Sequence, residues 1–146
     1  MKYTQGKVGR VFVARVENGD DLLEQLKLLA EKENIEAAVL YIIGALKEAS
    51  LVVGPRECKL PPDPVWRQFD DGREIIGLGN MFRENGGQVP VFHLHGALGR
   101  GDETLVGCIR GQSQVYLVAE VIIIELTGTG AMKAVDPVTG LKMLSL

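Results

Sequence analysis

Two histidines and one cysteine are the residues of this chain whose types and spacing suit chemistry. The segment Val91-Phe92-His93-Leu94-His95-Gly96-Ala97-Leu98 alternates in the manner of a β-strand. Successive side chains on a strand point to opposite faces. His93 and His95 therefore share one face, about 7 Å apart at ~3.3 Å per residue. Phe92 and Leu94 take the other. A second strand-like run follows at residues 104–109 and contains Cys108. Between them, Gly99-Arg100-Gly101-Asp102 has the composition of a tight hairpin turn. With Arg100-Gly101 as the two loop residues, Gly99 pairs with Asp102 and Cys108 falls opposite His93. Two imidazoles and a thiol then converge on one patch. Such an N, N, S set suits Zn2+ or another first-row divalent metal and leaves a coordination position open. The competing reading is an inert buried thiol, the commoner fate of a free cysteine. A one-residue slip of register would turn Cys108 to the opposite face.

Glu120 is the other residue that invites a role. It lies between Ala119 and Val121 in an apolar run. A carboxylate buried there needs a cation, a donor or a metal. A structural ion pair with Arg15 is one reading. A catalytic carboxylate beside the metal, acting as ligand or general base, is the other. Gly96, Gly99 and Gly101 spell no phosphate loop, because no helix pattern follows them.

Composition limits the classes of function. The chain has 146 residues, 46% hydrophobic and 24% charged, which fits one globular domain over residues 1–146. Its 16 basic and 19 acidic residues give a net charge of −3, with no basic run. Specific duplex binding by this chain alone is not expected, since phosphate contacts need a basic face. Residues 40–45 and 121–124 are apolar but far too short to span a bilayer. No apolar signal core opens the sequence, and two cysteines, Cys58 and Cys108, make no disulfide framework. The expected compartment is the cytoplasm, with no membrane partner.

The elements that must position the candidate ligands follow from local punctuation. Residues 8–16 have strand composition. Asn18-Gly19-Asp20 ends them, and Asp20 and Asp21 favour a helix start. Leu22, Leu26, Leu29 and Ala30 recur at helical spacing, which predicts one amphipathic helix over 21–33, stopped at Asn34. Strands are expected at 37–43 and 47–53, either side of a bend at Gly44-Ala45. Pro55, Pro61, Pro62 and Pro64 argue against regular structure through most of residues 54–70. Trp66 at the end of that arm reads as a packing anchor, a ligand platform or a seal at a subunit contact. Further strands are expected at 73–81, 114–126, 133–135 and 141–144. The fold class is α+β: a mostly antiparallel sheet of about eight strands packed with one main helix.

The order of these motifs resembles the plant and prokaryote conserved (PPC) domain over residues 10–144. The resemblance runs through Arg15-Val16-Glu17-Asn18-Gly19-Asp20-Asp21-Leu22 and Ile42-Ile43-Gly44-Ala45-Leu46. It continues with Gly72-Arg73-Glu74-Ile75-Ile76, His93-Leu94-His95-Gly96-Ala97-Leu98-Gly99 and Val106-Gly107-Cys108. Ala119-Glu120-Val121 and Asp136-Pro137-Val138-Thr139-Gly140-Leu141 complete it. The resemblance implies an antiparallel sheet with a helix against it, a homotrimer, and a likeness of fold to acetolactate decarboxylase, whose zinc is held by three histidines on neighbouring strands. The family pattern has a histidine where this chain has Cys108. A thiolate is itself a good zinc ligand, so the exchange either keeps the metal with altered affinity or marks a site losing it.

Three classes of function remain. One is a regulatory or interaction module; plant PPC domains accompany AT-hook segments and mediate assembly with partners, and this chain has no Arg-Gly-Arg-Pro hook. Another is a metal-dependent enzyme acting on a small oxygenated substrate, lyase- or hydrolase-like. The third is a metal-dependent trimer or small-ligand sensor. The expectation carried forward is a stand-alone trimeric PPC-type protein binding Zn2+ through His93, His95 and Cys108, with a DNA-associated role only through partners.

Overall fold

The structure is a computed structural model that describes residues 1–87 and 89–146. Along the chain run β1 (Lys7–Glu17), α1 (Leu22–Lys32), β2 (Ala37–Pro55), β3 (Pro64–Phe69), β4 (Arg73–Arg83) and β5 (Pro90–Arg100). Then come β6 (Glu103–Thr127), β7 (Met132–Val135) and β8 (Lys142–Ser145). Six strands form one antiparallel sheet in the order β1-β6-β5-β4-β2-β3, and β7 and β8 form a separate pair. β6 also bonds β2, so the ladders β2–β4, β4–β5, β5–β6 and β6–β2 close into a ring. The α+β expectation holds.

Two differences from the sequence reading have clear physical causes. Residues 37–43 and 47–53 are one strand, and so are 104–109 and 114–126. The apparent breaks are bulges, which bend a strand without ending it. Gly44 takes φ 134, and a Cβ there would lie 2.3 Å from the Val118 carbonyl oxygen. Leu117, at φ 59, marks a matching irregularity on β6. The second difference is β3. The proline-rich arm yields a regular strand because residues 65–69 carry no proline and β2 offers them a free edge. Trp66 pairs with Val52 at that edge and is 51% exposed, so it anchors no packing within the chain.

α1 forms where its spacing predicts. Asp21 is the N-cap, accepting from the Glu24 backbone N–H at 2.9 Å, while Asn34 takes a left-handed φ of 52 beyond the end. Leu22, Leu26 and Ala30 are buried, and the helix packs on β5 and β6. The other end is tied by charge. Glu125 accepts from Arg10 Nε and from its guanidinium at 2.8 Å, and the same guanidinium donates to the Glu33 carbonyl. These bonds hold the Glu125 carboxyl down at about 2.

The two faces of the ring differ. Leu40, Ile42, Ile75, Met81, Leu94, Leu98, Val121 and Ile123 fill the interior. The outer face is also largely apolar. Val13, Ile122, Tyr41, Leu78, His95 and Cys108 stand in register across β1, β6, β2, β4, β5 and β6 again. The first four of that row are exposed. Among the described residues, no helix is long and apolar enough to cross a membrane.

Candidate metal centre

The site begins with the parity of β5. Leu94 and Leu98 are driven into the core, which forces His93 and His95 onto the outer face. Gly79 on β4 allows the close approach that sets their height: a Cβ there would lie 2.7 Å from the His93 carbonyl oxygen. Cys108 arrives from β6 and is 6% exposed. It faces His95, not His93. The hairpin closes with Arg100 paired to Glu103, so Gly101-Asp102 form the loop. Gly101 has φ 57, a conformation that the first loop position of a primed turn demands and that glycine accepts without strain. Moving the loop by one residue shifts the pairing by two, so the thiol keeps its face.

His93 Nε2 and His95 Nε2 are 3.0 Å apart, with ring centroids at 4.9 Å and planes at 63°. The ligand atoms of His93, His95 and Cys108 all lie within 4.8 Å of one another. A tetrahedral zinc site has ligand–ligand edges of about 3.3–3.6 Å. The nitrogens are therefore near coordinating separation, and the thiol closes the set with about 1 Å of side-chain adjustment. The donors fit a borderline-soft divalent ion, and the exposed side of the face leaves room for a fourth ligand.

The surroundings favour a neutral imidazole and oppose a free thiolate. Burial lowers the proton affinity of His93, and the charges of His95, Lys133 and Arg110 lower it further. Burial pushes the Cys108 thiol up, while Arg110, the Leu94 backbone and Lys133 pull it back. A bound metal would decide that contest in favour of thiolate.

Glu120 does not join the cluster. It is exposed, and Arg15 opposite it makes its ion pair with Glu17 at 2.6 Å instead. The buried-carboxylate expectation fails because β6 turns residue 120 to the outer face. Glu120 pairs with Ile43, Ile43 with Ile76, and Ile76 with Ala97. Three strand spacings, about 14 Å, thus separate it from β5.

Asn80, Arg110 and Lys133 were not singled out from sequence. Asn80 pairs directly with His93, and its Oδ1 is buried with no hydrogen-bond partner. It is the one amide in the run Arg73–Arg83, a signal that was available. Lys133 is distant in sequence and only the folding of β7 against β4 brings it close.

A family model described as the Plants and Prokaryotes Conserved (PCC) domain matches residues 3–127. Among solved structures, a metal-containing protein from Archaeoglobus fulgidus is 28% identical with a TM-score of 0.86, and each chain is covered in full (100%). A plant- and prokaryote-conserved (PPC) protein from Pyrococcus horikoshii is 26% identical with a TM-score of 0.82, again over 100% of both chains. A protein from Ralstonia eutropha JMP134, named provisionally as DNA-binding, is 22% identical with a TM-score of 0.75 over 92% of this chain and 90% of its own, a likeness of fold. No curated protein sequence matches significantly.

Proposed function

Because the chain belongs to the Plants and Prokaryotes Conserved (PCC) domain family, we propose that residues 1–146 act as a single domain of a homotrimeric metal-binding protein. His93, His95 and Cys108 hold one divalent ion, Zn2+ by the chemistry of the donors, and water or a small ligand completes the shell. The observation that carries this is convergence. Both histidines of the chain and its one buried cysteine present ligand atoms within 4.8 Å on one face. The metal-containing relative from Archaeoglobus fulgidus supports the reading.

The exposed apolar row on the outer face supports self-association. Val13, Tyr41, Leu78 and Ile122 are neighbours across four strands. A contiguous apolar patch on an open sheet marks an interaction surface. A regulatory or DNA-associated role then runs through partners of the assembly, since the chain carries a net charge of −3 and no basic run. An acid–base role for Glu120 requires a neighbouring copy to bring its carboxylate to the ion.

The test is metal content. Protein purified without chelator and loaded with zinc should hold about one ion per chain, and His93→Ala should lose it. Less than about a tenth of an equivalent in the unaltered protein, with no saturable site on titration, would refute the metal reading.

A further inference from the structure

We propose that the outer face around the triad binds a small oxyanion between the metal's open position, the Lys133 ammonium and the Arg110 guanidinium. This rests on the metal reading above and names the class of ligand that completes it.

Lys133 is the first ground. Its residue is 3% exposed, yet among the described residues its ammonium forms no salt bridge; its contact is the Phe82 ring, 6.0 Å from Nζ to the centroid. β7 is fixed beside β4 by a bridge to Glu84 and by the Asn85 N–H donating to the Lys133 carbonyl at 2.8 Å. Phe82 lies two residues beyond Asn80 on the same outer face of β4. The ammonium therefore lies by the outer face of β4 that carries Asn80, close enough for its charge to act on both His93 and Cys108. A largely buried lysine with no carboxylate partner is a ready counterpart for an anion.

Arg110 is the second ground. It follows Cys108 by two residues on the same face of β6, stands exposed and forms no salt bridge among the described residues. Its charge also bears on Lys133, as one of the causes that lower the lysine's proton affinity after burial. A divalent ion balanced by one thiolate would add further positive charge. Such a concentration of one sign on a partly buried face draws an anion.

Asn80 is the third. Its buried Oδ1 lacks a donor and sits directly across from His93. An amide oxygen only accepts. The group it lacks is a hydrogen-bond donor, an N–H or an O–H, and a water accompanying the ligand or a protonated phosphate oxygen would supply one. The two cations set the class of ligand, a small carboxylate or phosphoryl oxyanion, and the Asn80 oxygen favours one that brings a hydroxyl or a water with it.

The experiment loads the full chain with Co2+, whose visible absorption reports its ligands, and titrates acetate and inorganic phosphate separately. A saturable spectral change with either is expected, and which anion produces it distinguishes the two sources. Lys133→Met should weaken the apparent affinity by about tenfold or more at unchanged cobalt stoichiometry. Lys133→Arg should keep it within a few-fold, which guards against a folding defect. Stoichiometric cobalt with no response to either anion overturns this proposal alone, as does a Lys133→Met, Arg110→Ala double variant that binds anion like the parent. Failure of the chain to bind cobalt at all removes the metal reading and this proposal with it.

Discussion

A thiol whose burial opposes ionisation while nearby cations favour it has its proton pulled both ways, and Cys108 is in that position. Burial raises its proton affinity, and Arg110 and Lys133 lower it. A metal ion needs the thiolate, so binding must expel that proton. His93 is held below its ordinary 6.5, chiefly by burial, and is already neutral at pH 7. Zinc binding at pH 7 should therefore release about one proton per ion, and affinity should rise with pH by about tenfold per unit. At pH below the usual imidazole range, protonation of His93 also competes with the metal and steepens that dependence. Cys108→His should bind zinc with little proton release. Calorimetry in buffers of different ionisation enthalpy measures the proton count; none released by the unaltered protein would exclude Cys108 as a ligand. The histidine pair was legible because strand parity needs only adjacent residues. The loop register was not, since it depends on which residue takes a positive φ, and Gly101 does so. The convergence survived because the error was even. Lys133 and the orphaned Asn80 oxygen were not legible, because each acquires meaning only from neighbours distant in the chain.

β2 and β6 are the elements on which the site depends, for each is long enough to belong to two parts of the ring. Local sequence shows their bulges as breaks: Gly44 looks like a turn until Val118 is known to lie against it. The close approach leaves no room for a methyl group, and φ 134 is a conformation that L side chains rarely adopt. Gly44→Ala should cost about 3 kcal/mol of stability, read as a lower urea midpoint with an unchanged slope. A loss below about 1 kcal/mol would mean that the bulge relaxes freely and does not fix the bend. α1 was the most legible element, since its cap and its buried stripe are both local. Arg10, which bonds both Glu125 on the sheet and the Glu33 carbonyl at the helix end, pairs with a residue 115 positions away in the chain and left no local mark.

At the scale of the whole molecule, the outer face carries a run of exposed apolar side chains beside the candidate metal site. Composition could not reveal this, because 46% hydrophobic content fits a buried core equally well. Only the ring of ladders separates the inner set from the outer. A chain that leaves Val13, Tyr41, Leu78 and Ile122 on one open face gains stability by covering it with copies of itself. Ligand set and assembly then become properties of one surface, and one measurement reads both. Native mass spectrometry of the zinc-loaded protein counts chains and ions in the same particle. The account predicts a trimer with about one zinc per chain, and a His93→Ala trimer without zinc. A zinc-loaded preparation that flies as a metal-free particle, or one whose zinc persists in His93→Ala, would contradict it.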